Sequence, residues 1–288
     1  MASGASASDI IADTLTLLRR SVVVPPIAVS ALSTTMPARD ISRPCALILS
    51  PHPDDECLVG ALPLRLHHEG WQIINIAVTL GSNEQRWSAR QAELAKSCAT
   101  LGFECLLPQE NGFSAVTSAT RSEDAATWEK MTTRLSDIIA ALEPKAIFMP
   151  HAHDAHSSHI GTHWLGMDAL AKQSAAFTTA VVQTEYWHPH EEPNLMVGLR
   201  AEDAAKLLTA LSCHSGENAR NPFDARFPAY LIDNVRRGSE RVGGKGGPSA
   251  SMDFAMLYKF GVWRSRKFIP SLLNRIVDLQ NNAGSLFD

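Results

Sequence analysis

Two short stretches of this 288-residue chain concentrate residue types that can do chemistry. One is Ser50-Pro51-His52-Pro53-Asp54-Asp55-Glu56; the other is Pro150-His151-Ala152-His153-Asp154-Ala155-His156-Ser157-Ser158-His159. The first, taken alone, also suits a plain helix start, where proline fits the first turn and carboxylates offset the positive end of the dipole. The second would serve as a solvated loop, although four histidines in nine residues is an uncommon density. Together they supply histidine plus carboxylate from one loop and histidine from another. That is the mixed nitrogen and oxygen set with which catalytic zinc is held by three protein ligands, leaving one position for water. Water so bound loses its proton near pH ~7. An adjacent carboxylate not bound to metal can take that proton, which gives two neighbouring aspartates a use. A nearby imidazolium can stabilise an oxyanion forming on a carbonyl. These parts suffice for amide hydrolysis.

Such residues need elements that bring them together. Apolar runs of strand length at Ala46–Leu49, Gln72–Val78, Phe103–Leu107, Ala146–Met149 and Ala180–Trp187 alternate with segments of helical period. Trp128, Met131, Leu135, Ile138, Ile139 and Leu142 recur at spacings of three and four, as do Trp87, Leu94, Cys98 and Leu101. Strands separated by helices imply parallel crossovers. The expectation is a single α/β domain over residues 44–288, Rossmann-like and doubly wound, with a mainly parallel sheet and helices on both faces. In such sheets ligands bind beyond the carboxyl ends of the strands, which is where both motifs fall. Residues 1–43, rich in Ala, Ser and Pro, read as an N-terminal extension. Ile10–Arg20 and Phe260–Leu279 read as amphipathic helices docking on the domain, membrane contact being the alternative. Pro63 is expected to kink a helix, and the glycine-rich stretch Arg236–Ser251 to form a flexible loop.

At this point His52-Pro53-Asp54-Asp55-Glu56 resembles the (A/P)HPDDE signature of the PIG-L or LmbE-like family of zinc-dependent de-N-acetylases. Asp154-Ala155-His156-Ser157-Ser158-His159 resembles the family's later D-x-H-P-D-H element. Arg90-Gln91-Ala92-Glu93 with Leu101-Gly102, and Lys206–Ser215, are similar to two further family elements. The resemblance implies an LmbE-like fold and one Zn2+ per chain, held by His52, Asp55 and His159. It implies that Asp54 is the general base and that His156 faces the oxyanion and protonates the leaving amine. Glu56 and Asp154 are then supporting residues behind the ligands, and Arg90 reaches substrate or else pairs with Glu93. His163, four residues after His159, ranks lower as a ligand, and His151, His153, His188 and His190 lie near the expected mouth of the site. The implied reaction removes an acetyl group from an N-acetylated amino sugar or sugar conjugate. A larger thiol–sugar amide is the alternative substrate.

Other classes fit less well. A distant His with His52-x-Asp54 also spells the two-His-one-carboxylate triad of iron oxygenases, but the β/α alternation speaks against the all-β folds that usually carry it. A binding module without turnover would have no need of Asp54 beside Asp55. A formal charge of −4 and a pI near 6.3 offer no general attraction to nucleic acid. No apolar run reaches the length of a membrane span, no secretory signal precedes residue 10, and five cysteines without a C-x-x-C pair suggest a reducing, cytoplasmic setting. Homo-oligomerisation stays open. The chain departs from the family pattern at Ser157-Ser158, where Pro-Asp is usual, so His156 lacks the carboxylate that would raise its basicity unless Asp154 takes its place. Restoring it with Ser158→Asp is expected to raise turnover and shift the pH–rate profile; an unchanged rate and profile would count against this reading.

Overall fold

The computed structural model describes residues 4–29 and 31–288, so residues 1–3 and Ser30 of the expected extension lie outside it. Strand β1 (Cys45–Ser50) is the centre of the molecule, with every residue buried. Its alternating side chains feed two cores. Ala46 and Ile48 face one; Cys45, Leu47 and Leu49 face the other. This explains why β1 reads as a continuous apolar run rather than an alternating one. Beside it lie β2 (Gln72–Ala77) and β4 (Ala146–Pro150), both parallel to it, flanked in turn by the parallel strands β3 (Glu104–Leu106) and β5 (Thr179–Thr184).

The chain runs outward from β1 through β2 to β3, then crosses back to begin again at β4, giving the order β3-β2-β1-β4-β5. The loops leaving β1 and β4 therefore depart from neighbouring strands at the point where the winding reverses, and a crevice opens between them. The helices on one face are α3 (Ala61–His68), α4 (Trp87–Leu101), α8 (Ala201–Ser212) and α10 (Phe223–Arg241); the other face is covered by α6 (Ala125–Leu142) and α7 (Ser157–Ala171). Short turns α2 (Asp55–Leu58), α5 (Ser118–Glu123) and α9 (Ser215–Asn218) complete the set, with α1 (Ala7–Leu17) at the N-terminus. The apolar stripe of α6 is buried as its period requires.

Several expectations are corrected. Phe260–Leu279 forms no helix: β7 (Phe254–Arg264) runs antiparallel to β5, turns into β8 (Lys267–Pro270), and is followed by β9 (Arg275–Val277). The hairpin turn places Ser265 and Arg266 at φ 52° and 59°. Positive φ at both central positions matches the twist of a tight hairpin, but the usual Asn-Gly signal is absent, so the turn was illegible. With β6 (Leu195–Leu199), these strands add an antiparallel region beyond β5, and β9 pairs parallel with β6. Helix α1 is capped by a Ser6–Asp9 box but buries no residue, so it does not dock on the domain. Residues 33–40 do attach: Leu107 N–H donates to Ser33 O, and the Gln72 side chain donates to Ala38 O. Pro63 causes no kink because α3 begins only at Ala61, and a proline in a first turn forfeits no helical bond. Arg236–Arg241 belongs to α10, so the glycine-rich loop starts later.

Gly161, in α7 two residues beyond His159, packs directly on the Val116 carbonyl, and a Cβ there would collide with main chain. Gly161→Ala is expected to lower stability by about 1–3 kcal/mol, the usual cost of overpacking, read as a reduced urea midpoint. An unchanged midpoint would mean that the 113–116 loop yields freely.

Candidate active site

The loop after β1 and the start of α7 meet at the crevice. His52 is half-buried, and its Nδ1 lies 3.6 Å from Asp55 Oδ2. His159, only 3% exposed, presents Nε2 at 3.5 Å from the same oxygen. The rings of His52, His156 and His159 lie with centroids 5.0 to 5.4 Å apart. Their ligand atoms all fall within 4.8 Å of one another. His159 Nε2 is buried without a hydrogen-bond partner. A buried, unpaired imidazole nitrogen beside a carboxylate is costly unless a cation completes the group, so the donor set suits a metal ion. His156, expected to face the oxyanion rather than to hold the ion, stands as close to the centre as His52 and His159 do.

Asp154 explains how His159 is held. Its Oδ2 lies 3.4 Å from His159 Nδ1, and its Oδ1 accepts the His156 backbone N–H at 2.9 Å. A carboxylate behind the distal nitrogen fixes the ring and its tautomer, an arrangement typical of metal-ligating histidines. The His156 ring is fixed otherwise. His156 caps α7, and its Nδ1 accepts the Ser158 N–H at 3.3 Å, which leaves the ring proton on Nε2. Burial, then His52 and His159, hold the His156 pKa below its ordinary value. Burial works against the Asp55 charge, but His159 and His52 outweigh it and bring the carboxyl down to about 2.

Asp54 is the strained member of the loop. Its φ of 123° lies where non-glycine residues rarely go, at a cost of roughly 1–3 kcal/mol. The surroundings enforce it: the Asp54 N–H donates to Glu56 Oε2 at 2.9 Å, and its carbonyl receives the N–H groups of Cys57 and Leu58. Glu56 is itself fully buried, accepting His214 Nε2 at 2.7 Å and the Ser97 hydroxyl. Burial and then the Asp55 charge push the Asp54 carboxyl well above the usual carboxylate range. A carboxyl with a raised pKa in a cleft is what general base work calls for.

Arg90 does not pair with Glu93, one of the two partners foreseen for it. Its guanidinium donates to Leu80 O and Pro53 O and lies 3.9 Å from Glu217, not Glu93. It thus clamps the loop just ahead of Asp54. Glu217 gathers Arg86 at 3.2 Å and Arg220 at 3.6 Å as well. These residues line a groove of about 680 Å³ that opens onto His52, Asp54, Asp55 and His156. Glu217 was missed, and His214 was noted only as part of Lys206–Ser215 with no partner foreseen, because their contacts to Arg86, Arg90 and Glu56 join residues more than a hundred positions apart.

Five other histidines form a separate group. His151, His153, His163, His188 and His190 line a second cavity of about 550 Å³. His151 pairs with His188 O, His163 with Pro150 O and His190 with Gln183 O. Burial brings the His163 pKa down to about 4 and the His190 pKa to about 3.

Comparison with known proteins accords with this geometry. Residues 47–170 match the family model described as PIG-L, GlcNAc-PI de-N-acetylase. No curated protein matches the chain. Among solved structures, it is similar to N,N'-diacetylchitobiose deacetylase from Pyrococcus horikoshii, with 13% identity and a TM-score of 0.54 over 97% of this chain and 99% of that one. The zinc inhibited form of teicoplanin deacetylase Orf2 has 13% identity and a TM-score of 0.54, over 79% and 99% of the two chains. GalB, the 4-carboxy-2-hydroxymuconate hydratase from Pseudomonas putida KT2440, has 15% identity and a TM-score of 0.59, over 75% and 95%. At such identities the likeness is one of fold.

Depriving a buried charged group of one hydrogen-bond partner costs about 1–3 kcal/mol. His214→Ala, which leaves the buried Glu56 with the Ser97 hydroxyl and the Asp54 N–H but no imidazole, is expected to lose stability of that size in a denaturant titration. A loss below about 1 kcal/mol would show that water replaces the imidazole.

Proposed function

We propose that the protein, whose residues 47–170 match the PIG-L family model, is a zinc-dependent hydrolase removing an acetyl group from an N-acetylated amino sugar or its conjugate. The observation that carries the reading is the unpaired His159 Nε2 facing Asp55 within a cluster of three imidazoles. Fold alone would not choose the reaction, since the similar structures include a hydratase as well as deacetylases. His52, Asp55 and His159 are the residues that would hold the ion. When bound, zinc would lower the pKa of a water towards ~7 and polarise the acetamide carbonyl.

The remaining steps fall to the chain's own groups. Asp54, set at the groove by its strained backbone, takes the proton of the attacking water. His156 presents Nε2–H to the carbonyl oxygen and stabilises the charge that grows there. As the C–N bond breaks, His156 hands a proton to the amine nitrogen and the proton held by Asp54 replaces it, so that acetate and the free amine leave. Arg90 keeps the Asp54 loop in place from behind, and Asp154 orients His159. Five cysteines that form no disulfide accord with a reducing, cytoplasmic setting.

Two variants separate the roles. Asp54→Asn is expected to lower kcat by about 10²–10⁴-fold, the typical contribution of general acid–base catalysis, while retaining zinc in elemental analysis. His159→Ala is expected to lose the zinc. Full activity in the asparagine variant would overturn the assignment of the base, and iron in the purified protein would overturn the choice of metal.

A further inference from the structure

Beyond β5 the chain leaves the sheet as Glu185-Tyr186-Trp187-His188, on the same side of the sheet as the β1 and β4 loops. Trp187 is 44% exposed, and among the described residues it is the one aromatic side chain in the exposed large apolar set. An indole left in water is unusual for a residue that contributes so much to apolar burial. Its surroundings show that it is held there. Phe223 and Tyr186 each meet its ring edge-on at 5.4 Å, with interplanar angles of 78° and 87°. Phe223 is itself buried, and Tyr186 packs edge-on against both Phe223 and Tyr230. The segment is tied down from below. Glu185 pairs with Arg237 at 2.6 Å, and the Glu185 carbonyl accepts the Tyr230 hydroxyl at 3.1 Å. The indole is therefore a rigid, propped surface.

Its position matters as much as its rigidity. Trp187 lines the 680 Å³ groove together with His52, Asp54 and Asp55, and its ring lies 6.4 Å from that of His156 at an inclination of 32°. A group whose amide sits at the metal-ligand cluster would lay its next ring-sized portion against the indole. Elsewhere the groove mixes polar side chains, among them Ser82, Asn83, Arg86 and Asn221, with apolar ones such as Trp87, Phe113 and Val116. Apolar faces set beside hydrogen-bonding groups suit a ligand that is apolar on its flat sides and polar round its edge. A pyranose ring answers to that description: its axial C–H bonds meet the negative face of an aromatic ring, and its equatorial hydroxyls point outward to hydrogen-bonding groups. We infer that Trp187 is the sugar platform of the site and sets its preference for acetamides carried on a pyranose ring. This inference rests on the hydrolase reading above.

The test compares N-acetylglucosamine with the acyclic acetamide N-acetylethanolamine. The ratio of their kcat/KM values is expected to fall about tenfold in Trp187→Ala, equivalent to ~1.4 kcal/mol, and to stay near the wild-type ratio in Trp187→Phe, which keeps an aromatic face. A second readout is independent of turnover: calorimetric binding of N-acetylglucosamine to Asp54→Asn protein, expected to weaken by about the same factor when Trp187→Ala is added. A fold effect would lower activity on both acetamides alike and leave the ratio unchanged, which would overturn the platform while leaving the hydrolase reading intact. Sugar binding that depends on Trp187 without release of acetate from any acetamide would do the reverse. Absence of both turnover and binding would overturn the two together.

Discussion

The parallel pairing of β1 with β2 on one side and β4 on the other is the constraint from which the rest follows. Because Ala46, Leu47 and Ile48 are in register with Ala146, Ile147 and Phe148, the two strands end at nearly the same height. The residues that follow, His52 to Asp55 and Asp154 to His159, are then released side by side. Neither loop could assemble the cluster alone. The crevice exists because the chain reverses its winding between these strands, and it is kept in place by apolar packing on both faces of a strand that has no exposed residue.

Into that apolar frame the protein places an unusual density of buried charge, and each carboxylate is answered by a specific partner. Asp55 faces two imidazoles, Asp154 a third atom of the same cluster, and Glu56 the His214 ring and Ser97 hydroxyl. Only Asp54 has no cationic neighbour comparable to these; burial and Asp55 act on it in the same direction, so its proton affinity rises where its neighbours' falls. Two adjacent aspartates thus acquire opposite tendencies from their surroundings alone, the separation that distinguishes a ligand from a base. The Glu56–His214 pair belongs to the same scheme. It offsets the strain at Asp54 by giving its N–H a charged acceptor, and it links the β1 loop to the segment after α8.

The parts that were legible in the sequence share a property: their signals are local. The heptad-like stripe from Trp128 to Leu142 announces a helix because each residue meets the next through spacings of three and four. The two histidine–aspartate motifs are dense enough to stand out. The illegible parts are those whose reason lies elsewhere in the chain. Nothing near Arg90 distinguishes Glu93 from Glu217 as its partner, since Glu217 arrives by tertiary packing. Phe260–Leu279 reads as a helix because Arg264, Arg266 and Lys267 flank apolar residues in a pattern that helix and strand both accept. The turn between β7 and β8 lacks the glycine or asparagine that would have marked it.

The sequence by itself therefore determined the chemistry on offer, the alternation of strand and helix, and the placement of both motifs at strand ends, because periodicity and residue type act over a few neighbours. Tertiary structure alone decided which groups share the groove. It sent His151, His163 and His190 to a second cavity and brought His156 beside His52. It set Arg90 against main-chain carbonyls and left Trp187 propped in the open. Those outcomes depend on which surfaces of distant elements exclude water from one another, and no local pattern encodes that.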